Sequence, residues 1–346
     1  MTSSINRHQR HQRRARSASL PQAIRSLTAS LSLTLGLTLG LTLAASTVQA
    51  MPDRQVRIVA GFQPGGADVS ARLIGQKLQE LWGQTVIIDN KPGAAGNLAA
   101  DAVARAPADG HTILLFVNSY TINTTVYKNL SWDLLKDFAP LGRYGYSPMV
   151  VVVNADVPVK DLRGLVSYAK ARPGELNYGS AGVATAPHLV VEWFAASTGI
   201  AVTHIPYRGS APSVIGILGK EVQFAFGALS AFEQTIRDGR LRALAVTTEQ
   251  RHPSLPNVPT VAEEGVAGFN ADIWYGFMVP AATPAAVVQK LSKDLQTVLA
   301  DPDLQSKLKA RGVEPAYLDP QQTAELTRKD VARWREVAER IKLRLD

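Results

Sequence analysis

The chain of 346 residues contains no cysteine, so it can hold no disulfide, no thiolate nucleophile and no zinc–thiolate site. Histidine is scarce as well. The four beyond residue 50, His111, His188, His204 and His252, stand at no spacing that would place two metal ligands on one helix face. No metal and no cofactor are expected. Acidic residues are missing from the first 50 positions, where Arg7, Arg10, Arg13, Arg14, Arg16 and Arg25 precede an uncharged run from Ser26 to Ala50. The Leu-rich part of that run ends in Ser46-Thr47-Val48-Gln49-Ala50, whose Val-x-Ala close suits signal peptidase. Residues 1–50 therefore read as a secretion signal cleaved after Ala50. No bulky apolar pair follows Arg13-Arg14, which favours general over twin-arginine export. No later stretch is long and apolar enough to span a bilayer, so the mature product is expected in the periplasm.

Losing the leader changes the charge balance. The whole chain carries 37 Lys and Arg against 29 Asp and Glu, and removing the six leader arginines leaves 31 against 29. The basic character belongs to the export signal, and a nucleic-acid surface loses its support.

What the mature chain does have is glycine at matching places. Phe62-Gln63-Pro64-Gly65-Gly66 follows the apolar run Val56–Ala60, and Pro92-Gly93-Ala94-Ala95-Gly96-Asn97 follows Val86–Ile88. Each leads into a helical pattern. A strand that feeds a helix through a glycine turn presents unpaired N–H groups with the positive end of the helix dipole behind them, which makes a site for an anion. Strands at Val56–Ala60, Val86–Ile88 and Thr112–Val117, alternating with helices over Ala67–Leu81 and Leu98–Arg105, predict a parallel α/β sheet. Pro148–Val153 reads as another buried strand. A second αβ series then runs to Leu241–Thr247, followed by a strand at Ile273–Pro280 and helix for everything beyond Pro284. This order predicts two domains, 51–153 plus 275–346 and 154–274, with a ligand cleft between them.

Within the second series, Tyr178-Gly179-Ser180-Ala181-Gly182-Val183-Ala184-Thr185 joins a strand to a helix through small residues and two hydroxyls. Ser180, Ala181, Gly182 and Thr185 are candidate donors to an anion. The segment is no nucleophile elbow, because Tyr178 occupies the first glycine position of G-x-S-x-G. Tyr207 and Arg208 stand at a strand end where a guanidinium could clamp a carboxylate. Ser119 and Tyr120 hold the corresponding place after Thr112–Val117. In the last helix Val331, Trp334, Val337 and Ile341 recur at helical spacing, and Trp334 is expected to dock on the first domain.

These segments together resemble the solute-binding receptors of tripartite tricarboxylate transporters, the Bug receptors. Further signposts are Pro107-Ala108-Asp109-Gly110-His111-Thr112, His204-Ile205-Pro206-Tyr207-Arg208-Gly209, Leu255-Pro256-Asn257-Val258-Pro259-Thr260 and Trp274-Tyr275-Gly276. The resemblance implies a two-domain periplasmic-binding-protein fold, type II-like, closing on a small organic acid. It implies contacts from Phe62, Gln63, Pro64, Gly65, Gly66, Gly93, Ala94, Ala95 and Gly96, joined by the loops at Ser180–Thr185 and Tyr207–Gly209. The implied partners are membrane permease subunits, and a monomer is expected. Three positions depart from the family. The first glycine loop is one residue short before Asp68, Ala184 replaces a common glycine, and Gly227 stands where many members carry the Asp that suits a ligand ammonium. Two other readings compete with a non-enzymatic receptor: a secreted hydrolase using Ser180 and His188, and a ligand sensor for a membrane signalling partner.

Overall fold

The computed structural model describes residues 52–62 and 66–345; the leader, and Gln63, Pro64 and Gly65 of the first glycine turn, lie outside them. The opening strands β1 (Val56–Ala60), β2 (Val86–Asn90) and β3 (Thr112–Val117) run parallel in the order β2-β1-β3, with α1 (Gly66–Trp82) and α2 (Asn97–Ala104) as crossovers. β3 is buried at every position, as expected of an apolar strand covered on both faces. In α1, Ala71, Ile74 and Leu78 pack on the sheet, but Leu81 is 46% exposed. Trp82 takes its place, its indole N–H donating to Asp294 Oδ2 at 2.7 Å.

After α3 (Ser119–Val126) and the short α4 (Leu134–Asp137), β4 runs from Phe138 to Asn154, far longer than the Pro148–Val153 run visible in the sequence. Its first half is hidden there because Pro140, Gly142 and Gly145 break the apolar run. The second series is α5 (Leu162–Lys170), β5 (Asn177–Ser180), α6 (Ala186–Thr198), β6 (Thr203–Pro206), α7 (Ser210–Leu218), β7 (Phe224–Ala228), α8 (Leu229–Arg237) and β8 (Leu241–Val246). The chain then returns through β9 (Asp272–Pro280), α9 (Ala285–Leu299), α10 (Pro302–Lys309), β10 (Glu314–Leu318) and α11 (Pro320–Arg340). β10 corrects the expectation that everything beyond Pro284 is helical; it pairs antiparallel with the first half of β4.

The sheet is mixed rather than purely parallel. Through Pro148, β4 pairs with β9 and β10; from Met149 onward it pairs with β7 and β8. Register then fixes where the loops go. Val117 lies opposite Tyr275, Asp272 opposite Pro148, and Ala228 opposite Met149. The C-terminal ends of β1–β3 and of β5–β7 therefore point at one junction on β4 from opposite sides. In an open α/β sheet these are the ends where ligands bind.

The last helix departs from expectation too. Val331 packs with Phe116, Trp132 and Trp274, but Trp334, Val337 and Ala338 join the core of the second series with Phe194 and Phe269. Trp334 meets Trp193 edge to face at 6.3 Å. Its cluster draws on both blocks, with Ile122 and Val126 of α3 beside Phe194 and Phe269, so Trp334 packs across the two rather than on the first alone.

Candidate functional site

The end of β1 and the second glycine turn are built around Tyr120. This ring is fully buried, 6.0 Å edge to face from both Phe62 and Trp132, and its hydroxyl donates to Gly96 O at 3.3 Å. Burial pushes that hydroxyl far above its ordinary pKa, so it remains a donor. Two glycines make the approach possible. A Cβ on Gly61 would lie 2.3 Å from Tyr120 Oη and 2.7 Å from Gly96 Cα; one on Gly96 would lie 2.9 Å from the same hydroxyl. Gly93, Ala94, Ala95 and Gly96 have φ of 139°, 46°, 53° and 92°, four successive residues in the region glycine favours. Asn123 holds this turn, its Nδ2 donating to Ala95 O at 2.9 Å and to Asn97 Oδ1 at 2.7 Å. Among the described residues the N–H groups of Ala94 and Ala95 donate to no protein acceptor. Neighbouring left-handed residues with free N–H groups form a concavity for an anion.

Asp68 is not available to a ligand. It is buried and accepts from Arg72 at 2.8 and 3.1 Å and from Asn90 Nδ2 at 2.7 Å, while Asn90 also reaches Phe62 O at 3.3 Å. The network ties the start of α1 to the end of β2. After β3, Ser119 Oγ and Asn118 Oδ1 are buried without a hydrogen-bond partner among the described residues.

The loops of the second block are laced together. Tyr207 N donates to Ser180 O at 3.0 Å and Gly209 N to Ala181 O at 3.1 Å. Thr185 Oγ1 donates to Gly182 O at 2.7 Å, and Gly182 N donates to Ser180 Oγ at 3.1 Å. Ala184 adopts φ +60° and is buried. Ser180 Oγ lies 2.7 Å from His204 Nε2, and the rings of His204 and His188 stack at 4.0 Å. Burial, then the neighbouring His204, lowers His188 to about 3; burial lowers His204 to about 4. Both imidazoles are neutral, so His188 Nδ1 accepts from Ala184 N at 3.2 Å.

Ser180 therefore pairs with His204 and not with His188, against the pairing a hydrolase would need. Nor does the geometry suit attack. Ser180 is 1% exposed, its oxygen is engaged by Gly182 N, and no carboxylate orients His204 among the described residues. His204 escaped the residue-level reading because its place beside Tyr178 comes from the β5–β6 register, which no local pattern reveals.

Other candidates are spread differently. The Tyr207 hydroxyl donates to Glu221 Oε2 at 2.8 Å, and its ring covers Gly216, where a Cβ would lie 2.1 Å from Tyr207 Oη. Arg208 is exposed. Gly227 lies within β7 opposite Val150, with Phe232 2.6 Å from where its Cβ would be. The loops thus offer hydroxyls and N–H dipoles, with Arg208 the one charged side chain among the candidates.

Residues 70–343 match the model of the tripartite tricarboxylate transporter family receptor. BugT of Bordetella pertussis is 33% identical over 294 residues, covering 84% of this chain and 90% of BugT. A UPF0065 protein of a Pseudomonas species is 37% identical, covering 85% of this chain and 88% of the relative. Among solved structures, an R. palustris protein with adipate aligns with a TM-score of 0.77 and 35% identity over 85% of this chain and 99% of that one. MatC from Rhodopseudomonas palustris with bound malate aligns with a TM-score of 0.73 and 28% identity over 83% of this chain and 99% of that one.

Proposed function

The chain belongs to the tripartite tricarboxylate transporter receptor family, and from that premise we propose that it captures a small organic carboxylate and delivers it to the membrane permease of a tripartite transporter. It is a periplasmic solute-binding receptor and not an enzyme, with the periplasmic-binding-protein fold of its structural neighbours. The observation that carries the carboxylate class is the Gly93–Gly96 turn, in which four successive positive-φ residues leave the N–H groups of Ala94 and Ala95 without an acceptor among the described residues. Relatives solved with adipate and malate support the same class.

In this reading the solute lies between 51–153 plus 275–346 on one side and 154–274 on the other. The glycine turns, Ser119 and the Ser180–Thr185 loop contact it; Tyr120 supports from beneath. Arg208, exposed at the end of β6, supplies a cation that closure brings in. The receptor acts as a monomer, exported by removal of residues 1–50, and its loaded closed form is what the permease recognises. No helix among the described residues is long and apolar enough to cross a membrane.

The test is a thermal-shift screen of residues 51–346, unfolded and refolded to strip carried ligand, against mono-, di- and tricarboxylates, amino acids and aromatic acids. A ligand at 100 times its Kd adds about 2.7 kcal/mol, enough to raise Tm by several degrees. A selective rise with one carboxylate class is expected; refolded protein that responds to no acid refutes the proposal.

A further inference from the structure

A cavity of about 420 Å³ lies where β4 changes partners, walled by Arg143, Tyr146 and Glu314 on one side and by the 248–253 segment leaving β8 on the other. None of its lining residues belongs to the glycine loops. Its volume falls in the range of small-molecule sites.

Two opposite charges line it, and among the described residues neither is held in an ion pair. The half-buried guanidinium of Arg143 lies 5.6 Å from the Tyr146 ring centroid, and its Nε donates to Ala316 O at 3.2 Å. Among the described residues its two terminal nitrogens donate to no protein acceptor. The Asp272 carboxylate lines the same cavity, makes no ion pair with Arg143 and accepts no hydrogen bond from the described residues. Its main chain is held, since Asn118 Nδ2 donates to Asp272 O at 2.8 Å. Burial, opposed by Arg143, raises its carboxyl to about 6, so it is ionised at neutral pH. His252 stands in the same wall. Its Nδ1 lies 2.8 Å from Ser254 Oγ and 3.3 Å from Ser254 N, while its Nε2 is buried, has no hydrogen-bond partner among the described residues and lies 3.6 Å from Glu314 Oε1. Arg251, also in the wall, is committed to Glu263 at 2.9 and 3.1 Å.

Partly buried charges without partners are costly, and a ligand that satisfies both at once recovers that cost. A guanidinium takes a carboxylate in a fork of two hydrogen bonds, and a carboxylate takes an ammonium. We propose that this junction cavity is a second binding site, for a small zwitterion of the α-amino acid type, its carboxylate on Arg143 and its ammonium on Asp272. A bound zwitterion braces the two sheets where they meet, independently of what the glycine loops hold.

The test is calorimetric titration of the refolded protein with L-serine, and with acetate and ethanolamine, which carry one charge each. Saturable serine binding is expected, at least tenfold tighter than either half-molecule. Arg143→Gln and Asp272→Asn should each weaken it tenfold or more, and Ser180→Ala, in the glycine-loop site, should leave it in place. Circular dichroism melts establish that each variant is folded. If Arg143→Gln does not fold, Arg143→Lys carries the test: it keeps the charge, loses the fork and should bind serine several-fold more weakly. The proposal is overturned by absent serine heat on folded protein, by affinity that these substitutions leave unchanged, or by loss in Ser180→Ala alone.

Discussion

Lowering the pH should weaken this protein through the stacked pair His188 and His204. Both are neutral in the fold, lowered to about 3 and about 4 from an ordinary 6.5, while the unfolded chain protonates freely. A depressed histidine contributes stability that is complete above pH 6.5 and is lost as pH falls toward its folded value, because there the unfolded state binds more protons. At pH 5 both rings are still neutral in the fold, so the loss is set by unfolded-state protonation and comes to about 2 kcal/mol for each ring. Asp272 works the other way. Its carboxyl is raised to about 6, so acidification from pH 7.5 to 5 returns on the order of 1 kcal/mol. Urea unfolding at pH 7.5 and pH 5, compared between the wild-type protein and His188→Gln/His204→Gln, cancels that opposing contribution. The wild type should lose about 4 kcal/mol more than the variant over this range. A difference under about 1 kcal/mol would refute the reasoning, since the imidazoles would then be free to protonate in place.

Gly61→Ala forces a methyl against Tyr120 Oη and Gly96, so carboxylate affinity should fall at least tenfold, read by titration against the wild type. Trp334→Ala empties a core position shared with Phe269 and should cost about 3–5 kcal/mol, a drop in Tm on the order of 10 °C by calorimetry. Asp68→Ala removes the acceptor of two Arg72 hydrogen bonds and of one from Asn90, leaving only Arg72 to Asn90 Oδ1 and Asn90 to Phe62 O, and a loss of about 1–3 kcal/mol is expected from denaturant midpoints. Tyr207→Phe removes a hydroxyl already spent on Glu221, so carboxylate affinity should hold; a tenfold fall would place Tyr207 on the solute.

The glycine turns were legible in sequence because each is a contiguous string between a strand and a helix, and local chemistry suffices to read it. β3 was equally plain, six apolar or β-branched residues between turns. The first half of β4 was not, and its glycines say why. A Cβ on Gly276 would lie 2.7 Å from Gly142 O, so close strand approach demanded residues that erase the hydrophobic signal. β10 was hidden for another reason: five half-buried residues with a proline carry too little alternation to stand out in a helical tail. The Ser180–His204 contact and the docking of Trp334 depend on register and on long-range packing, which no window of sequence contains.

The position of β9 has a consequence for how the molecule comes into being. β3 and β4 follow each other closely in the chain, yet β9 lies between them in the sheet and is contributed only from residue 272 onward. A growing or emerging chain therefore cannot seal its first sheet until roughly its final quarter has arrived, and early pairing of β3 with β4 would be a trap to be undone. The second series can pair from residues 149–246 alone, so the two halves of the sheet close at different times and the first half last.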